Sequence, residues 1–345
     1  MIAPTSSSGR LRAYFLFVAA LLYFFVARSL AHRAALTLAG DAWFPLVEQV
    51  ALAFLLLVGY GAMGSWIDRQ LDPISEQGLP RRDGCLKEMG LGLSIGWTMT
   101  VVCVLPMMLA GGIAIYLSTQ ASNWGWLLAD AAYFVFSALA EEIAFRGYAF
   151  QCFARAVGPL GASLGFAAIY AIVQQVVPGS SHASFFVAAA FTLLLSATYL
   201  RTRALWVSWG LNFGWKACRA LLFGLAVNGV GTHSHLVQGD PMGPFWLTGG
   251  AFGLDGSWLA FLVMLTALPF VFRLTRDLNY RYNAPVLIPA GIPVDIDAAA
   301  RAQHETAMGS PAPATPQLVQ IGSAAPVLAD PSGASSVIDS AHPQP

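Results

Sequence analysis

Charge is what this sequence has least of: Asp, Glu, Lys and Arg make up 10% of 345 residues, and 18 basic against 18 acidic side chains leave a formal net charge of zero. So few charges cannot clothe a water-facing surface, which excludes an ordinary soluble enzyme. There is no basic stripe and no polybasic run beyond short Arg groups, which argues against nucleic acid as a partner. Cysteine is scarce as well. Cys85, Cys103, Cys152 and Cys218 stand alone, without CxxC spacing or a nearby His to complete a zinc knuckle, and read as reduced packing residues. Nor is there a solenoid repeat, an inverted repeat or a pair of Gly/Pro-broken helices of the kind that marks a transport site.

What the sequence has is apolar length. Hydrophobic residues make up 57% of the chain, the mean hydropathy is +0.62, and runs near 13–27, 43–65, 91–117, 125–150, 159–177, 183–200, 204–228 and 256–273 approach the ~20 residues that carry a helix across a bilayer. The expectation is an all-α, polytopic transmembrane bundle of about eight helices. Residues 13–27 follow Arg10 and Arg12 and imitate a signal peptide, but no small-x-small cleavage site follows, so the run is read as a retained first span. It is short, and 28–41 is a helical extension or an interfacial piece, so seven helices is the alternative.

Arg69, Arg81, Arg82 and Lys87 fall in one loop, Arg155 in the next alternate loop, Arg201 and Arg203 in another, and Arg273, Arg276 and Arg281 follow the last span. Positive charge on these sides predicts that they face the cytoplasm, in an inner or plasma membrane, with the C-terminus inside; Arg28 and Arg33 are the exception. Near Asn283 the composition turns to Pro, Ala, Ser and Gly, too poor in large apolar residues for a core. The division expected is therefore 1–74, N-terminal transmembrane helices; 75–278, a membrane domain; and 279–345, a disordered cytoplasmic tail.

Within the fourth run stands Glu141-Glu142-Ile143-Ala144-Phe145-Arg146-Gly147. An ionisable residue at the bilayer centre costs about 2.5–3.5 kcal/mol on insertion scales, so an acid there is a functional-site candidate with a partner to be named. Glu142 and Arg146 are four residues apart on one helix face and can pair. Glu141 lies about 100° round the helix and lacks that partner, as a catalytic base would. A buried pair that only fixes helix register is the structural alternative.

The order of four segments carries a resemblance. EExxxRG closes one helix; Gly158-Pro159 opens the next, which carries Tyr170 to Gln174 and ends at Pro178. Leu200-Arg-Thr-Arg-Ala-Leu-Trp206 then leads into Gly210-Leu-Asn-Phe-Gly-Trp215, and Thr248 to Gly256 precedes the last helix. Over about 75–275 this resembles the CAAX-protease and bacteriocin-processing (CPBP, Abi) family of intramembrane peptidases. That resemblance implies a glutamate and a histidine that activate water, and a later histidine and asparagine that stabilise the oxyanion, with a divalent metal as the cofactor to be considered. Carried over, the acids are Glu141 and Glu142 and the arginine is Arg146. Gln174 stands where the family has its first His, Asn212 where it has the second, and Lys216 where it has Asn. Amides donate hydrogen bonds and position water, but they neither take a proton near pH 7 nor bind transition metals as imidazole does.

At ~1.5 Å per residue, Glu141 lies ~15 Å, Asn212 ~16 Å and Gln174 ~22 Å from the cytoplasmic ends of their helices, so the first two meet and Tyr170 is a lesser candidate for the position of Gln174. His182, His233 and His235 fall in loops on the opposite face; the last two are read as a solvated pair without a third metal ligand. Glu48 is a further intramembrane acid without an assigned role. Two functions remain: an intramembrane endopeptidase acting on a membrane-proximal peptide or protein, and a catalytically degraded relative that serves as a binding, immunity or scaffold protein. In either case membrane lipids, together with a peptide or protein, are the partners.

Overall fold

The structure is a computed structural model and describes residues 7–282 together with His304. The chain opens with α1 (Ser7–Leu38) and α2 (Phe44–Ile67), then a single turn α3 (Pro73–Glu76), α4 (Cys85–Leu109) and a strand β1 (Ile113–Leu117). It continues through α5 (Ala121–Arg146), α6 (Tyr148–Val157), α7 (Pro159–Val176), α8 (His182–Thr202) and α9 (Trp206–Ala217), which runs into a π-turn at Cys218–Leu222. Strand β2 (Val237–Pro241), a short turn α10 (Phe245–Thr248), α11 (Trp258–Leu274) and α12 (Arg276–Tyr282) complete it. The fold is a helical bundle, and α1, α2, α4, α7 and α8 are each long and apolar enough to cross a membrane.

Several elements differ in extent from the apolar runs. The first helix is not short: Ala13, Phe17, Ala20, Ala27, Ala31 and Ala35 form one buried line that continues past Arg28 and Arg33, which point outward. The run 91–117 breaks after Leu109, because Gly111 takes a positive φ of 74°, and its end becomes β1. This strand pairs antiparallel with β2, Ile113 opposite Pro241 and Leu117 opposite Val237. The run 125–150 breaks at Gly147, where a side chain would overlap the carbonyl of Ile143. Gly158, at φ 88°, and Pro159 then open α7. The last helix reaches Tyr282, four residues into the stretch 279–345. It is docked by the Tyr282 hydroxyl, which donates to Glu88 at 3.1 Å, and by Arg82, 3.5 Å over its ring. The remainder of the expected tail, His304 apart, lies outside the described residues.

Two apolar cores flank the middle of the bundle. One gathers Phe17, Leu56, Tyr60, Ile143, Phe150 and Phe166 from α1, α2, α5, α6 and α7. The other gathers Met99, Met107, Val187, Leu211, Trp215 and Met264 from α4, α8, α9 and α11. Helices α4 and α9 approach with backbone against backbone. A methyl at Gly92 or Gly96 would overlap the carbonyls of Val207 and Leu211, and a methyl at Gly210 would overlap that of Met89. The spacing small-xxx-small on both helices is what allows this close approach in an apolar medium, where packing rather than water exclusion holds helices together. It fixes α9 firmly, and α9 carries Asn212 and Lys216.

Candidate active site

Glu141 and Glu142 lie in the last turn and a half of α5, and their surroundings differ. Glu142 is fully buried; its Oε1 accepts from Arg146 Nη1 at 3.0 Å and from Asn212 Nδ2 at 3.0 Å. Arg146 also donates from Nη2 to the carbonyl of Thr192 at 3.3 Å, tying α5 to α8. The i,i+4 pair expected from spacing therefore forms and is closed by two neighbouring helices. Glu141 keeps 29% of its side-chain surface accessible.

Glu141 does not pair with Arg146, as its place on the helix implied, but it has an ion-pair partner from another helix. Lys216 Nζ lies 2.5 Å from Oε1, and Asn212 Nδ2 is 3.1 Å from Oε2. Asn212 and Lys216 are one turn apart on α9, so a single face of that helix delivers both donors. The shared Asn212 amide spans the two carboxylates, and the Arg146 and Lys216 cations balance their charges.

Gln174 does not join this cluster by a hydrogen bond. Its Nε2 donates to Asn228 Oδ1 at 2.6 Å, on the wall of a cavity of about 20 Å³ that Tyr170, Lys216, Arg219 and Asp255 also line. That volume admits about one water molecule. Lys216 thus faces Glu141 on one side and the cavity on the other, and it is the link between Gln174 and the acids. On the far wall Arg219, fully buried, pairs with Asp255 Oδ2 at 2.5 Å, while Trp215 Nε1 donates to Asp255 Oδ1 at 3.0 Å. The remaining guanidinium nitrogens of Arg219 have no hydrogen-bond partner.

Arg219, Asn228 and Asp255 escaped the sequence reading. Asp255 was legible only as part of the segment before the last helix. Asn228 carries a local signal in retrospect, a non-glycine residue at φ 52°, a conformation that costs energy and gathers at functional sites. Glu48 keeps no assigned role, and the expectations for two histidines change. Glu48 accepts a contact from His32 Nδ1 at 3.0 Å, so it has a polar partner on α1. His182 begins α8 and is not in a loop, and His233 packs on Trp126 and bonds Asp130 rather than standing free in solvent.

A divalent metal does not fit the acids as they stand. Each carboxylate already carries a cation, and the side chains beside them on α7 and α9 include the amides Gln174 and Asn212, which bind transition metals poorly. Among the described residues no group of three His, Cys, Asp or Glu side chains converges.

Residues 123–218 match the family model described as type II CAAX prenyl endopeptidase Rce1-like. No curated protein matches the chain, and no solved structure does. The matched stretch runs from the first turn of α5 to the end of α9 and contains both glutamates, Arg146, Gln174, Asn212 and Lys216. The chain is an integral membrane protein, and the stretch 123–218 that builds its candidate active site is similar to the CAAX-protease family.

Proposed function

We propose that the chain is an intramembrane endopeptidase that hydrolyses a peptide bond in a membrane-proximal peptide or protein. The observation that carries this reading is the asymmetry of the two acids. Glu142 is enclosed, whereas Glu141 remains accessible and is held by two donors from α9. An accessible carboxylate can take a proton from water as the water attacks a carbonyl carbon, and can return it to the amine nitrogen as the C–N bond breaks. The Lys216 ammonium is the cation nearest that carboxylate and has donors beyond the one given to Glu141, so it would meet the oxyanion that develops, whereas the Asn212 amide, whose two N–H groups go to Glu141 and Glu142, would join it only on releasing Glu141; a preorganised donor of this kind is worth about 10²–10³-fold in rate. Gln174, steadied by Asn228, would orient the water or the substrate amide. Glu142 and Arg146 hold α5 in register.

The catalytic membrane domain is read as 75–278, and the excess of Arg and Lys at one end of the helices supports a plasma-membrane orientation with that end cytoplasmic.

One observation favours the second reading, a non-catalytic relative that binds a peptide, lipid or partner. Glu141 is already engaged by Lys216, and the adjacent cavity holds about one water molecule. Cleavage of a peptide library by the full chain in liposomes separates the two. Turnover that Glu141→Gln abolishes supports the peptidase; turnover indifferent to that change, or none in the native protein, overturns it.

A further inference from the structure

Helix α5 carries a second polar site at Asp130, eleven residues before Glu141. Asp130 is buried, and its oxygens accept from His233 Nδ1 at 3.1 Å and from the Ser234 backbone N–H at 2.8 Å. Beside it lies a cavity of about 50 Å³ walled by Trp43, Trp126, Tyr133, Phe134 and His233. At roughly 10–15 Å³ for each water-sized centre, this is room for a group of several heavy atoms. The walls come from three parts of the chain: the start of α2, the first half of α5 and the loop before β2. Trp43 and Trp126 have ring centroids 5.3 Å apart, and His233 stacks on Trp126 at 5.6 Å with 28° between planes.

No Lys or Arg lines this cavity. Its walls present the Trp43, Trp126, Tyr133 and Phe134 rings, the His233 imidazole, the Thr232 side chain, several aliphatic side chains and one buried carboxylate, each oxygen of which accepts one bond and retains a second lone pair. Aromatic faces together with a carboxylate attract a weakly hydrated organic cation, and no lining Lys or Arg is present to favour an anion. A helix anchored only by interfacial tryptophans would not need an acid behind them. The placement also selects the source. Trp43 caps the start of a membrane-crossing helix and is half exposed, and such helix ends lie at the level of the lipid headgroups.

The geometry points to a headgroup site: the cavity between Asp130, Trp43 and Trp126 holds the ammonium group of a zwitterionic phospholipid. Asp130 supplies the charge, the aromatic walls exclude water, and His233 and Ser234 fix the carboxylate so that it faces the cavity without moving. The site is independent of the glutamates and of whether they cleave anything.

The test uses the full chain in non-ionic detergent, titrated with choline chloride and with its uncharged carbon isostere, and followed by tryptophan fluorescence. Saturable binding of choline but not of the isostere is expected, weakened about tenfold or more in Asp130→Asn and in Trp126→Leu. Trp43→Leu, at a half-exposed position, provides a variant that leaves the fold intact. Lipid carried through purification from mixed phosphatidylcholine and phosphatidylglycerol nanodiscs should be enriched in the choline lipid for the native protein and not for Asp130→Asn. Absence of saturation, or binding unchanged in all three variants, overturns the site. Choline binding without lipid enrichment overturns the lipid as occupant and leaves a soluble amine in its place.

Discussion

Two ion pairs less than one helical turn apart on α5 are built in opposite ways. Glu142–Arg146 is closed within one helix, and its side chains are 0% and 3% exposed. Glu141–Lys216 joins two helices, and its acid is 29% exposed. A pair within one helix keeps its internal contact when helices shift, which suits a structural role. A pair across two helices opens when they part or when a substrate enters, and it faces a cavity. Under the proposed peptidase reading the neighbouring acids take different work, Glu142 in the fold and Glu141 in the chemistry.

The largest expected effect breaks the first pair. Arg146→Leu strands the Glu142 carboxylate in a dry interior and should lower stability by about 3–5 kcal/mol, measured by thermal unfolding in detergent. The double variant Glu142→Leu with Arg146→Leu should be milder than the single, because replacing both partners removes the desolvation cost with the attraction. A double variant worse than the single would show that the pair does not act as a unit.

A smaller effect is expected where the second pair's helix is seated. Gly96→Leu forces α4 away from α9 and should cost about 1–3 kcal/mol, as overpacking does. It should also lower any Glu141-dependent turnover, since α9 carries Asn212 and Lys216. Turnover unchanged at reduced stability would detach the glycine contact from the site. The smallest stability effect falls on the second pair itself. Lys216→Met leaves Glu141 partly solvated, so unfolding should change by about 1 kcal/mol or less, discounted for exposure, while turnover falls about 10²–10³-fold if Lys216 meets the oxyanion.

Restoring the imidazoles sharpens the comparison from the other side. Gln174→His with Asn212→His and Lys216→Asn should raise peptidase activity by about 10²–10⁴-fold if proton transfer limits the native protein. No gain beside an active native enzyme would mean that the pocket is fitted to amides.

The sequence made much of this arrangement visible, and the reason lies in sequence distance. Helices α2, α7 and α8 follow from apolar length, and Glu142–Arg146 follows from an i,i+4 spacing, because both are local. The depth of Glu141 and Asn212 in their helices already put them at one level. Lys216–Glu141 and Arg219–Asp255 were not legible, since partners on different helices, 75 and 36 residues apart, leave no periodic trace. His233–Asp130, 103 residues apart, is hidden for the same reason. The breaks at Gly111 and Gly147 were masked by the apolar residues on either side, since hydropathy registers burial and not backbone direction.

The division of labour between the acids is tested most directly by comparing Glu141→Gln with Glu142→Gln in one preparation, reading unfolding temperature and peptide cleavage together. The account predicts that Glu141→Gln does not cleave and loses less stability than Glu142→Gln, because the Lys216 ammonium it strands faces a water-sized cavity, whereas Glu142→Gln unfolds markedly earlier because the enclosed Arg146 loses its counter-charge. Equal losses of stability in the two variants, or cleavage retained by Glu141→Gln, would contradict it.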